Sequence, residues 1–218
     1  MMREKIFSEK VGPLRKYEVL KPEEKIIEDW VKGVSEIYEA LNNGEVEELE
    51  NLMRGGNYKM SVKDVLKKQN LASLNEEQKI LLATTLWTYR EQNAWRGKGW
   101  KEKLPYLWRF AKGGEVDMSQ FVKKEWVPNC IDSALLVHVL AEKMGVSGSV
   151  KRVGEHHRYW QSDAGDVVDV WWGYRRGGVF TDQEEYQTRA KEKQSKDKEK
   201  HSCGSRWEGE SGGSAGKE

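Results

Sequence analysis

The residues with the clearest chemical potential are a cysteine, two adjacent histidines and an aspartate, in that order along the chain. Cys130 opens an apolar segment, residues 130–144, that is typical of a buried helix and that Gly145 can end. Unpaired backbone N–H groups at a helix start favour a thiolate and can hold an oxyanion. This position suits a nucleophile, although a lone cysteine at a helix start is more often a small buried hydrophobe.

The histidines and the aspartate fall in two segments with the pattern of strands, residues 155–160 and 167–172, which a polar turn joins. A carboxylate inside an apolar run is costly to bury unless it accepts hydrogen bonds, and an imidazole N–H on the neighbouring strand is a suitable donor. Asp169 can then orient a histidine toward the thiol, as in a triad of nucleophile, base and orienting acid. The alternatives are that Asp169 only caps a turn and that either histidine is the base.

This part of the chain resembles the core of the transglutaminase-like superfamily, over about residues 126 to 173. The resemblance rests on Asn129-Cys130-Ile131-Asp132-Ser133-Ala134-Leu135-Leu136, Gly145 at the helix exit, a strand, His157-Arg158-Tyr159 and Val168-Asp169. In that family an aromatic residue follows the catalytic histidine by two positions, as Tyr159 follows His157. The resemblance therefore implies Cys130 as the nucleophile, His157 rather than His156 as the base, and Asp169 as the orienting acid.

The same resemblance implies a fold and an activity. The expected fold is α+β, with a central cysteine-bearing helix packed on an antiparallel sheet. The expected activity is thiol-dependent hydrolysis or acyl transfer at an amide bond of a protein or peptide substrate, through a thioester and without a metal or other cofactor. The further oxyanion donor or cleft residue stays open among four candidates: Asn129, Trp126, Gln120 and Tyr159. The alternative is a non-catalytic module of this fold that binds a peptide or a protein.

Composition argues against two other classes of function. The chain has 37 Lys and Arg against 36 Asp and Glu, so a formal charge of +1 gives no field that attracts nucleic acid. Tryptophans and basic residues between positions 95 and 126 could stack on single-stranded nucleic acid, but we expect them to wall a cleft or fill a core. The start of the chain lacks a signal-peptide pattern and no apolar run has membrane-spanning length, so we expect a cytoplasmic protein.

Three segments are expected along the chain. Residues 1–73 form a helical N-terminal region, with a long helix at about 22–41 and short ones at 45–53 and 61–69. Residues 74–187 form the catalytic core, with helices at 75–95 and 130–144 and strands at 147–153, 157–161, 167–172 and 178–181. Residues 188–218 are a charged and then Gly/Ser-rich disordered tail. Because Cys203 lies in that tail, we expect no disulfide between it and Cys130.

Overall fold

The structure, a computed structural model, describes residues 4–10, 16–54, 70–92, 114–123, 129–153, 157–170 and 179–180, together with Tyr186 and Thr188. These residues form four α-helices and two small sheets, so the fold is α+β as the sequence predicted. Within the described ranges, no helix combines the length and the apolar character needed to cross a membrane.

Two helices follow the N-terminal strands. Helix α1 (Glu24–Asn43) ends at Gly44, whose left-handed backbone (φ 69°) lets its N–H reach the last carbonyl groups of the helix. Helix α2 (Val46–Leu52) follows directly. The stripe of apolar residues that predicted α1 is its buried face, formed by Ile27, Trp30, Val34, Ile37, Ala40 and Leu41. The helix predicted at 61–69 lies outside the described residues.

Helix α3 (Glu76–Gln92) is the most deeply buried helix of the N-terminal half. It begins at Asn75, whose side chain accepts a hydrogen bond from the Gln78 N–H at 2.8 Å, while the Gln78 side chain accepts one from the Asn75 N–H at 3.2 Å. This reciprocal pair is a capping box, which satisfies two backbone donors that the helix leaves unpaired. Every residue from Leu81 to Tyr89 is buried, because α3 lies between α1 and the cysteine-bearing helix. The continuation to 95 that the sequence predicted lies outside the described residues.

Helix α4 (Cys130–Lys143) packs against an antiparallel sheet of four strands. The strands lie in chain order, β4 (Gly148–Val153), β5 (His157–Ser162), β6 (Val167–Val168) and β7 (Val179–Phe180), and all three pairings are antiparallel. Gly148 faces the β5 strand so closely that a Cβ atom there would lie 2.3 Å from the Gln161 carbonyl oxygen. A glycine is therefore required where the helix exit joins the sheet.

A second sheet differs from what the sequence predicted for the N-terminal region. Strands β1 (Lys5–Lys10) and β2 (Lys16–Leu20) are antiparallel, and β2 pairs in parallel with β3 (Gly114–Asp117). The expectation that residues 1–73 are helical is thus wrong for these strands. The pairing of β2 with β3 joins segments that are far apart in the chain, so no local sequence pattern predicts it. The buried residues of β2, Tyr17 and Val19, belong to the same hydrophobic core as α1, α3 and α4.

Candidate active site

The thiol of Cys130 lies at the first residue of α4, where a capping box fixes the helix start. Asn129 accepts a hydrogen bond from the Asp132 N–H at 2.8 Å, and Asp132 accepts one from the Asn129 N–H at 3.1 Å. The side chain of Cys130 is partly exposed. The thiol therefore combines the positive end of a helix with access from outside, the two conditions that a nucleophilic cysteine needs.

The carboxylate of Asp132 also ties the helix start to the N-terminal sheet. Its second oxygen, Oδ1, accepts a hydrogen bond from the hydroxyl of Tyr17 at 2.8 Å, and both side chains are buried. A buried carboxylate is stable only when donors such as these replace water. Neither Tyr17 nor Asp132 has a role predicted from the sequence. The signal that could have identified Tyr17 is its alternation with Val19 in β2.

We predict that Tyr17→Phe lowers the free energy of unfolding by about 1–3 kcal/mol, because it removes a hydrogen bond to a buried charged group and leaves one oxygen of Asp132 short of a donor. Urea denaturation measures this change. The matched control is Tyr38→Phe, because Tyr38 is only partly buried on α1; that variant should stay within about 0.5 kcal/mol of the wild type. Equal stability of the two variants would contradict the structural role of the Tyr17 hydroxyl.

His157 and Asp169 are brought together by the pairing of β5 with β6. His157 is the first residue of β5, and Asp169 follows β6 directly. Trp160 pairs with Val168, so continuing this antiparallel register by one residue places Asp169 beside Tyr159. Tyr159 and His157 are two residues apart on β5 and therefore lie on the same face of the sheet. The Nε2 atom of His157 lies 2.5 Å from Oδ2 of Asp169, and the two side chains are 13% and 2% exposed. This is a buried, charge-assisted hydrogen bond.

The imidazole of His157 also hydrogen-bonds to the thiol of Cys130. Because Nε2 is engaged by Asp169, Nδ1 is the ring nitrogen left for the thiol. Burial lowers the pKa of His157, but the hydrogen bonds and charges of Asp169 and Cys130 outweigh burial and raise that pKa to about 9. The imidazole is therefore held in its charged form at neutral pH, beside the thiol of Cys130.

Tyr186 is a further member of this site that the sequence analysis missed. Its hydroxyl donates to Oδ2 of Asp169 at 2.5 Å, the same oxygen that faces His157. Burial, followed by the negative charge of Asp169, raises the pKa of Tyr186 well above its usual range, so the phenol keeps its proton. No local sequence pattern marks Tyr186, because it lies 17 residues after Asp169 in the chain.

The other predicted site residues have different positions. Gln120 lies in a 3-10 helix, Met118–Val122, which packs against α4. Asn129 uses its side-chain oxygen to cap α4. Tyr159 is 2% exposed, so it lies beneath the site rather than on a cleft surface. Trp126 and His156 lie outside the described residues.

The candidate site brings together a thiol, an imidazole and a carboxylate. In the part of the chain that the structure describes, no group of three or more His, Cys, Asp or Glu side chains is arranged to hold a metal ion. Such a site can activate a thiol and move a proton. Comparisons with protein-family models, curated proteins and solved structures found no match to this chain.

Proposed function

We propose that this protein is an enzyme with a cysteine nucleophile and a transglutaminase-like core, which cleaves or transfers the acyl group of an amide bond in a protein or peptide. The observation that carries the proposal is the hydrogen-bonded series from Cys130 through His157 to Asp169, at the positive end of a buried helix. A thiolate, an imidazolium and a carboxylate in series match the requirements of acyl transfer.

In this mechanism the Cys130 thiolate attacks the carbonyl carbon of the amide, and the backbone N–H of Cys130 stabilises the resulting oxyanion. The C–N bond then breaks as His157 gives its proton to the departing amine, which leaves a thioester on Cys130. Water or a second amine next loses a proton to His157 and attacks the thioester. The acid or the new amide is released, and the thiolate and imidazolium are restored.

The transglutaminase-like assignment is supported by the order and setting of the three residues. The cysteine begins a helix that packs on an antiparallel sheet, and the histidine and the aspartate come from neighbouring strands of that sheet. Water and amine compete for one thioester, so both hydrolysis and acyl transfer belong to the same proposal.

A non-catalytic binding module is the weaker alternative. Asp169 is 2% exposed, and burying a carboxylate costs several kcal/mol unless it is compensated by donors. A binding surface has no need for that carboxylate, or for an imidazole between it and a thiol. The partly exposed thiol at the outer end of this series favours an enzyme.

A reactive acyl donor tests the proposal before any natural substrate is known. We expect that brief incubation with p-nitrophenyl acetate at pH 7 places a single acetyl group on Cys130, detected by intact-protein mass spectrometry and peptide mapping. The acetyl group should be released by hydroxylamine, as a thioester is. Cys203→Ala should acetylate as the wild type does, whereas Cys130→Ala should not. Acetylation scattered over lysines, with Cys130 unmodified, would contradict the proposal.

A further inference from the structure

Two strong hydrogen-bond donors contact the same oxygen of the Asp169 carboxylate. Its Oδ2 oxygen lies 2.5 Å from His157 Nε2 and 2.5 Å from the Tyr186 hydroxyl. Asp169 itself is 2% exposed, so these donors take the place of water around a buried charge. The histidine and the tyrosine therefore hydrogen-bond to the same negatively charged oxygen.

We infer that Tyr186 is a positioning residue of the proposed acyl transfer, whose hydroxyl holds the Asp169 carboxylate in place and limits how strongly that carboxylate attracts the proton of His157. This inference rests on the proposed function, because it assigns Tyr186 a part in the proton transfer between His157 and the leaving amine. It adds a fourth residue to the site, which acts through its hydrogen bond to the aspartate.

Packing fixes the position of the Tyr186 hydroxyl. Tyr186 is 2% exposed, and its ring lies 4.7 Å from that of Tyr159, centroid to centroid, with a tilt of 55°. Both rings belong to a small apolar cluster with Val153 and Val167, on the sheet that carries His157. A phenol held on two sides in this way delivers its hydroxyl to one place, which is the condition for a supporting residue to orient a catalytic one.

The direction of the hydrogen bond is also fixed. A carboxylate can only accept, so the phenol donates. The pKa of Tyr186 lies far above neutral, first because of burial and then because of the charge of Asp169, so the donor persists at every pH at which the site would work. An ionised tyrosine beside Asp169 would repel the carboxylate, and this arrangement avoids it.

The shared oxygen has a consequence for His157. A carboxylate that accepts two strong hydrogen bonds is a weaker base than one that accepts a single bond, so it stabilises the imidazolium less. A moderate stabilisation of the imidazolium is useful, because His157 must give its proton to the departing amine. An imidazolium that is stabilised too strongly is a poor acid. Among the described residues, the groups that change the pKa of His157 are Asp169, which follows β6, and Cys130 on α4. Arg158 and Tyr159 follow His157 on β5, and the Tyr186 hydroxyl bonds to the same carboxylate.

The test is to measure the pKa of His157 by NMR titration in the Tyr186→Phe variant. The ring and its packing are kept and only the hydroxyl is lost, so we expect the pKa of His157 to rise above its wild-type value of about 9. We also expect acetylation of Cys130 to slow by about ten- to a hundredfold, because the aspartate and the histidine are less well oriented. Tyr38→Phe is the matched control, since it also removes a tyrosine hydroxyl, from the partly buried Tyr38 on α1; it should leave the titration of His157 unchanged.

A second substitution covers the case in which Tyr186→Phe does not fold. Site-specific replacement of Tyr186 by 3-fluorotyrosine keeps the hydroxyl and makes it a stronger donor, so the pKa of His157 should fall. An unchanged titration in a folded variant, together with normal acetylation of Cys130, would overturn the role of Tyr186 and leave the proposed function standing. Absence of acetylation at Cys130 in the wild type would instead overturn the proposed function.

Discussion

Replacement of Asp169 by asparagine should slow the acylation of Cys130 by about 10³- to 10⁴-fold. The asparagine is nearly the same size, but it has no charge to stabilise the imidazolium and can turn its amide N–H₂ toward Nε2 of His157. The ring is then left in the wrong tautomer to accept a proton from the thiol. The rate of thioester formation from p-nitrophenyl acetate, followed by mass spectrometry, measures the loss.

The same substitution should change the titration of His157 in a known direction. Burial lowers the pKa of His157, and Asp169 and Cys130 together raise it to about 9. Without the carboxylate, burial is opposed by Cys130 alone, so the pKa should fall toward the ordinary value of 6.5 and the ring should lose its charge near neutral pH. Asp166→Asn is the matched control, because Asp166 is also buried and bonds to Gln78 at 3.1 Å, away from the thiol. If both variants acylate equally fast, Asp169 is a structural residue.

The sequence predicted well those parts of the molecule in which local patterns decide the structure. Helix α4 could be predicted because most of its residues from Cys130 onward are apolar and a glycine follows the helix end. The hairpin of β5 and β6 was recognised because two short apolar runs flank a polar turn. Cys130 begins α4, His157 begins β5 and Asp169 follows β6 directly. Local pattern predicted these elements but left the roles of the residues open, and the choice of Cys130, His157 and Asp169 is what the resemblance to the transglutaminase-like superfamily implies.

The sequence did not reveal the contacts that support the site from distant parts of the chain. Strand β2 pairs with β3 across a long separation in the chain, and this pairing gives no local signal. The bond from Tyr17 to Asp132 and the bond from Tyr186 to Asp169 have the same character, a tyrosine from a distant segment that compensates a buried carboxylate. The signal in such cases is the buried acid itself, which requires a donor but does not say where it comes from.

The central claim is that His157 activates the thiol of Cys130, and substitution of the histidine should show it strongly. A free thiol, with a pKa of about 8.5, reacts with iodoacetamide on the order of a hundredfold more slowly at pH 6 than at pH 8. The proposed mechanism predicts that Cys130 of the wild type keeps most of its rate across this range, because a charged imidazole beside a cysteine favours its thiolate. His157→Ala should restore the steep dependence of a free thiol and slow the reaction at pH 6 by roughly a hundredfold.

The most direct measurement is therefore the rate of alkylation at Cys130 as a function of pH in the wild type and in His157→Ala, resolved by peptide mass spectrometry. The urea-unfolded protein provides the reference for an unperturbed thiol. The account predicts a nearly flat profile between pH 6 and 8 that becomes steep when His157 is removed. A Cys130 that is inert at every pH, or that follows the unfolded reference already in the wild type, would contradict it.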